Sequence, residues 1–226
     1  YQDMTREQYR DRLEDLRADI LYMGELVGNR LRRALDALSR KDTAVAREVI
    51  DGDETINRQY LELEAECVTL IARQQPVAGD LRFIAASFKI LTDLERIGDL
   101  ATNLAAYAKE SERDVFSDVE IQQIGSTTLA MLDAATAAYE DADVDLCWAV
   151  ARRDDELDDM CEKVSNSIVR RLISSVDLTE TEIEAIMPEV RWLLLTIRDL
   201  ERVGDHTVNI AARALYMVEN DDELLE

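Results

Sequence analysis

The heptapeptide Asp93-Leu94-Glu95-Arg96-Ile97-Gly98-Asp99 returns as Asp199-Leu200-Glu201-Arg202-Val203-Gly204-Asp205, 106 positions further on. Carried to position 108, the same offset keeps ten identities in sixteen positions, among them Asn103 with Asn209 and Ala105, Ala106 and Ala108 with Ala211, Ala212 and Ala214. A repeat this long is not a short solenoid unit. It makes the chain a duplication of two similar small domains, with equivalent surfaces related by an approximate two-fold axis.

The duplicated unit is expected to be all-α. Seven Gly, two Pro and 5% aromatic residues leave too few turn- and strand-forming residues for a β-rich chain. Apolar residues recur at helical spacing instead, as in Leu13, Leu16, Ile20, Met23, Val27, Leu31, Leu35 and Leu38, and six long helices follow, three per half. The first is expected to end near Ser39–Lys41, the second to run from about Thr43 to Arg73 and stop at Pro76, and the third from about Asp80 to Glu110. The fourth reaches about Asp141, the fifth spans about Val144 to Ser174, and the sixth begins at Thr179. Thr5-Arg6-Glu7-Gln8, Ser117-Asp118-Val119-Glu120 and Thr179-Glu180-Thr181-Glu182 read as capping boxes. Pro188 inside the sixth helix is expected to kink or divide it. Helices this long joined by short loops run antiparallel to their neighbours. The chain therefore reads as two tandem three-helix bundles, residues 1–110 and 117–218, with a frayed acidic tail over 219–226.

The repeated motif places charge in an unusual direction. In the second copy the apolar stripe runs Val190, Leu194, Ile197, then Glu201, Gly204/Asp205, Val208 and Ala211/Ala212; in the first it runs Ile84, Phe88, Leu91, Glu95, Gly98/Asp99, Thr102 and Ala105/Ala106. Helical periodicity thus aims Glu and Asp close to the core-forming face, where an ordinary amphipathic helix keeps apolar residues. Carboxylates one turn apart repel by roughly 0.2–0.5 kcal/mol when solvated, and by more when partly buried and unpaired. Glu95, Asp99 and Asn103, like Glu201, Asp205 and Asn209, form rows of oxygen ligands suited to hard or borderline cations. Asp53 and Asp154, aligned at an offset of 101, are candidates to complete each shell. The competing arrangement is an ion-pair network with Arg96 and Arg202.

Several chemistries are disfavoured. The only histidine is His206, and Val203 stands three residues before it, so the Glu-x-x-His pairs of di-iron bundles are missing. A single histidine also leaves no repeated triad and no three-histidine zinc site. The glycines are dispersed, without a phosphate loop. Cys67, Cys147 and Cys161 have neither CxxC spacing nor even number and read as buried thiols. No catalytic residue and no organic cofactor is expected.

A formal charge of −23 argues against nucleic acid, whose phosphates are held by clustered basic residues. Only Lys41, Lys89, Lys109 and Lys163 are lysines among 26 basic residues. Dense carboxylates with scarce lysine suggest a halophile's protein, since salt screens self-repulsion. No run approaches the ~20 apolar residues of a membrane span and no leader is evident, so a cytoplasmic location is expected.

With those residues in view, the chain resembles the PhoU family of phosphate-uptake regulators. Asp93 to Asp99 and Asp199 to His206, with Asn209-Ile210-Ala211 following, look like its duplicated Glu/Asp-x-x-x-Asp signature, and Gln74-Gln75-Pro76-Val77-Ala78-Gly79-Asp80-Leu81-Arg82 resembles its entry to the third helix. The resemblance covers Met4 to Met217. It implies a non-enzymatic negative regulator of inorganic phosphate uptake that acts with the ATPase subunit of the phosphate ABC transporter and, in many bacteria, with a sensor kinase. It further implies metal ions (iron, zinc, magnesium or manganese) at Glu95, Asp99, Glu201 and Asp205, with Asn103 and Asn209 as further ligand candidates. A homodimer is a candidate assembly. The first copy departs from the family's Gly-Asp-His by reading Gly98-Asp99-Leu100, so a different or weaker first site is expected.

Overall fold

The structure is a computed structural model that describes residues 6–74, 76, 78–110, 121–174 and 179–219. These form seven α-helical segments and no strand: α1 Arg6–Arg40, α2 Thr43–Asp51, α3 Asp53–Gln74, α4 Ala78–Glu110, α5 Ile121–Asp141, α6 Val144–Ser174 and α7 Glu180–Glu219. Together α2 and α3 are the expected second long helix, interrupted at Gly52. The all-α, two-bundle architecture is as expected: α1 to α4 pack on one another, as do α5 to α7. The expected joint at 111–117, the capping box at 117–120 and the tail from residue 220 lie outside the described residues, as does Thr5 of the first box.

The duplication persists in the turns. Lys41 and Ala142, 101 positions apart, adopt left-handed φ values of 51° and 54°. On either side of each turn Asp42 N–H donates to Ala37 O and Asp143 N–H to Ala138 O, both at 3.1 Å, closing a Schellman-type helix end. The same aspartates then cap the next helix, Asp42 accepting from the amides of Ala44 and Val45 and Asp143 from that of Leu146. This fixes the register of α1 against α5 and of α2/α3 against α6 at an offset of 101.

At the third capping box, Glu182 accepts from Thr179 N–H at 2.8 Å and Thr179 Oγ1 accepts from Glu182 N–H at 3.4 Å. The helix it opens runs through Pro188 without division. Pro188 is exposed, so its ring is not forced against a packed neighbour.

The two bundles meet along α4·α7 and α1·α5, and small residues let the second pair approach. A methyl at Gly24 would lie 2.8 Å from Thr136 Cγ2, and one at Gly125 would lie 2.7 Å from Leu35 Cδ2. Gly24 corresponds to Gly125 and Leu35 to Thr136, so each bundle presents a glycine to the other's larger side chain, as two-fold packing requires. The buried core is continuous across the junction, from Leu16, Ile20 and Met23 of α1 through Leu94 and Ile97 of α4 to Leu200 and Val203 of α7. No helix among the described residues is long and apolar enough to cross a membrane.

Candidate functional site at the repeated motif

Each motif sits mid-helix where a neighbouring helix comes unusually close, and the motif glycine makes room for it. A Cβ at Gly98 would lie 3.3 Å from Ile56 Cγ2; at Gly204 it would run into Leu157 Cδ2 and lie 2.9 Å from Asp154 Oδ1. Ile56 and Leu157 are equivalent at the offset of 101. The glycine therefore seats α3 on α4 and α6 on α7, and so brings Asp53 and Asp154 to the motif carboxylates.

In the first repeat the result is a cluster with its own cation. Asp53 Oδ1 accepts from Arg30 Nη2 at 3.1 Å and from Thr102 Oγ1 at 2.9 Å, and its Oδ2 accepts from Asn57 Nδ2 at 3.2 Å. Arg30 Nη2 also donates to Thr102 Oγ1 at 2.8 Å. Arg96 lies 3.6 Å from both Glu95 and Asp99, a loose form of the ion-pair alternative. Burial raises the pKa of Glu95, aided by Asp99 and opposed by Arg96; burial and then Asp53 raise that of Asp99.

The second repeat lacks this neutralisation. Asp154, Asp158, Glu201 and Asp205 act on one another, and among the described residues none of the four has a basic group at ion-pair distance. Arg202, the alternative partner, instead lies 3.6 Å from Asp199. Glu201 and Asp205 are exposed, whereas Asp154 is half-buried with its Oδ1 unpartnered. Desolvation, then Asp158 and Asp205, push the Asp154 carboxyl up to about 7. Asp158 and Glu201 are raised as well, by burial and then by the surrounding carboxylates.

The remaining two expected ligands work between the bundles. Asn103 Nδ2 donates to Asp199 Oδ2 at 3.5 Å, and Asn209 Nδ2 donates to Asp93 Oδ1 at 3.2 Å. Thus the first residue of each heptapeptide is tied to the asparagine of the other. Asp199 is fully buried and also accepts from Tyr107 Oη at 2.8 Å and from Arg198 Nη2 at 2.9 Å. His206 Nδ1 lies 2.8 Å from Asp93 Oδ1. Sequence reasoning missed Arg30, Asn57, Asp158, Asp93 and Asp199. Asp158 was within reach, since the offset that pairs Asp53 with Asp154 pairs Asn57 with Asp158; Arg30 was not, being on another helix with no sequence link to the motif.

The donor sets differ in their fit to a metal ion. Asp154, Asp158, Glu201 and Asp205 are hard oxygen donors with one orphaned buried oxygen, a set that suits a divalent cation. In the first repeat Arg30 already occupies the donor side of Asp53. Among the described residues no three His, Cys, Asp or Glu side chains are gathered closely enough to chelate an ion as they stand. The three cysteines are buried, and burial pushes their thiols up to about 11 or 12.

Comparison with known proteins covers the same ground. The PhoU domain model matches residues 20–108 and again 121–214. The chain is 35% identical over 222 residues to the phosphate-specific transport system accessory protein PhoU homolog of Pseudomonas aeruginosa, covering 96% of this chain and 87% of that one. It is 31% identical over 218 residues to the homolog of that name in Clostridium acetobutylicum, covering 95% and 96%. The crystal structure of PhoU from Pseudomonas aeruginosa superposes with a TM-score of 0.85 at 33% identity, covering 95% of this chain and all of that one. With both repeats matched and their acidic motifs set at equivalent helix contacts, this chain belongs to the PhoU family.

Proposed function

We propose that this protein is an accessory of a phosphate-specific transport system and restrains inorganic phosphate uptake by contacting the transporter's ATPase subunit. The observation that carries the reading is the full-length similarity, repeat by repeat, to proteins named as accessory proteins of that system. The site chemistry agrees with a binding role. The motif clusters hold carboxylates, amides, guanidinium groups and the Thr102 hydroxyl, and the single histidine is engaged with Asp93. A protein of this kind acts through a partner, and a sensor kinase is a second candidate for that role.

The motif carboxylates are the cation-binding part of this reading. Asp154, Asp158, Glu201 and Asp205 would hold magnesium, manganese, iron or zinc through oxygen ligands, and the ion would supply the positive charge their mutual repulsion calls for. Deletion of the gene, with phosphate uptake measured under phosphate excess, tests the function: uptake should rise, and the ATPase should co-purify with the tagged protein. Unchanged uptake together with no co-purifying ATPase refutes it.

A further inference from the structure

Helix α3 carries two apolar stripes where an outer helix of a bundle needs one. Ile56, Leu63, Cys67 and Leu70 face inward and are buried. Leu61, Ala65, Val68 and Ala72 form a second row, at steps of four, three and four residues, and all are exposed. Leu61 is 59% and Val68 57% exposed. Single apolar residues on a surface are ordinary, but a row of them along one helical face is not. In steps of four residues the row continues from Asp53 and Asn57, which are bonded to each other in the first motif cluster.

The second repeat shows that the fold does not ask for this row. At the offset of 101, Leu61 and Ala65 correspond to Glu162 and Asn166, both exposed on α6. Only Val68 and Ala72 keep apolar counterparts, Val169 and Ile173. A helix at the same place in an equivalent bundle thus meets water with polar residues at half of these positions.

Spacing and borders together describe what covers the row. Apolar residues alternating at three and four form the seam along which one helix packs on another, and the alanines let a second backbone approach. The seam is bordered by Glu62, Glu64, Thr69 and Ile71. Among the described residues neither glutamate has a basic group at ion-pair distance, whereas the next acid, Glu66, is taken by Arg12 at 2.9 Å. Residues bordering such a seam face those bordering the opposing helix. A second copy of α3 has no basic border residue to set against Glu62 and Glu64, and each chain carries a formal charge of −23, so self-pairing is selected against. A helix bordered by lysine or arginine complements them.

We infer that the outer face of α3 docks a helix of a partner protein, one that offers apolar side chains at three- and four-residue spacing bordered by lysine or arginine. This rests on the accessory reading for the existence of a partner, and adds where on this chain and through what kind of segment it binds.

The probe is a labelled synthetic helix with leucine and isoleucine at the seam positions and lysine at the borders, where like charges oppose its pairing with itself. It is titrated with the full-length protein in about 0.5 M KCl to screen diffuse attraction. Leu61→Glu with Ala65→Asn, which installs the second repeat's residues at exposed positions, should keep the wild-type helix content and weaken binding about ten-fold or more. That variant is more acidic than wild type, so a peptide held by charge alone would bind it at least as well; equal or tighter binding overturns the inference. Glu62→Lys with Glu64→Lys should shift preference to the same peptide with glutamate at its borders, and an unchanged preference for lysine overturns the assignment of a basic partner. Self-association of wild type that is lost in Leu61→Glu with Ala65→Asn would give the face to a second copy and overturns it too. Co-purification of the transporter's ATPase reports separately. An ATPase held by wild type and lost from Leu61→Glu with Ala65→Asn supports both readings, and one held equally by the two proteins overturns the α3 face as its docking surface. Peptide binding at the seam with no ATPase held by wild type supports the seam and sinks the accessory reading alone.

Discussion

Asp93 of the first bundle receives the Asn209 amide of the second at 3.2 Å, and its counterpart Asp199 receives Asn103 at 3.5 Å. The leading aspartates of the repeated heptapeptide are therefore reciprocal ties between the bundles. The two ties differ in depth. Asp199 is fully buried, and Tyr107, whose hydroxyl it holds, is stacked on Trp192 with ring centroids 5.5 Å apart.

Replacing Asp199 with Ala strands the Tyr107 hydroxyl and removes charge-assisted bonds from Arg198. A hydrogen bond to a charged group contributes about 1.5–3 kcal/mol, so Asp199→Ala should lower unfolding free energy by about 2–4 kcal/mol. Asp93→Ala, at a shallower site, should cost less. Urea denaturation followed by circular dichroism checks the order. The Tyr107 phenol, held up at about 12 by burial and by Asp199, should ionise at lower pH in Asp199→Ala, a shift readable by ultraviolet titration.

The motif glycines are predicted to differ in tolerance. Alanine in a helix is favoured over glycine by about 1 kcal/mol. At Gly98 the added methyl meets Ile56 Cγ2 at 3.3 Å, so Gly98→Ala should be close to neutral; at Gly204 it collides with Leu157 and crowds Asp154. Overpacking of that kind costs about 1–3 kcal/mol. Gly204→Ala should therefore melt below wild type, and equal melting temperatures for the two variants would contradict the packing described here.

Asp154 predicts the pH dependence of the metal-free protein. Its folded-state pKa of about 7 lies above the ordinary 3.8, so between these values the folded state binds more protons than the unfolded one. Stability contributed by this group must then fall as pH rises from about 4 through 7. With chelator present, the melting temperature should drop between pH 5.5 and 8 by more in wild type than in Asp154→Asn. Parallel profiles would show that Asp154 titrates normally.

The charge of −23 predicts a salt response opposite to that of a protein held by surface ion pairs. Carboxylates that repel at low ionic strength are screened over about 3 Å at 1 M salt, so raising KCl from 0.2 to 2 M should raise the melting temperature. A steady fall would count against the halophile reading.

The all-α class, the duplication and the helix ends at Asp42, Asp143 and Thr179 could be read from the chain alone, because periodicity, repeat offset and capping are local or self-referential properties of a sequence. So could the nearness of Asp53 and Asp154 to their motifs, through one offset. Tertiary structure decided the rest. Asn103 and Asn209 lie on the same helical rows as the motif carboxylates, and only the packing of α4 on α7 directs their amides to the opposite bundle. Arg30 lies 23 residues from Asp53 and 72 from Thr102, and nothing in its neighbours marks it as their partner. Whether a carboxylate cluster is neutralised depends on which side chain a neighbouring helix brings to it through space, and helical periodicity records only the face a residue occupies on its own helix.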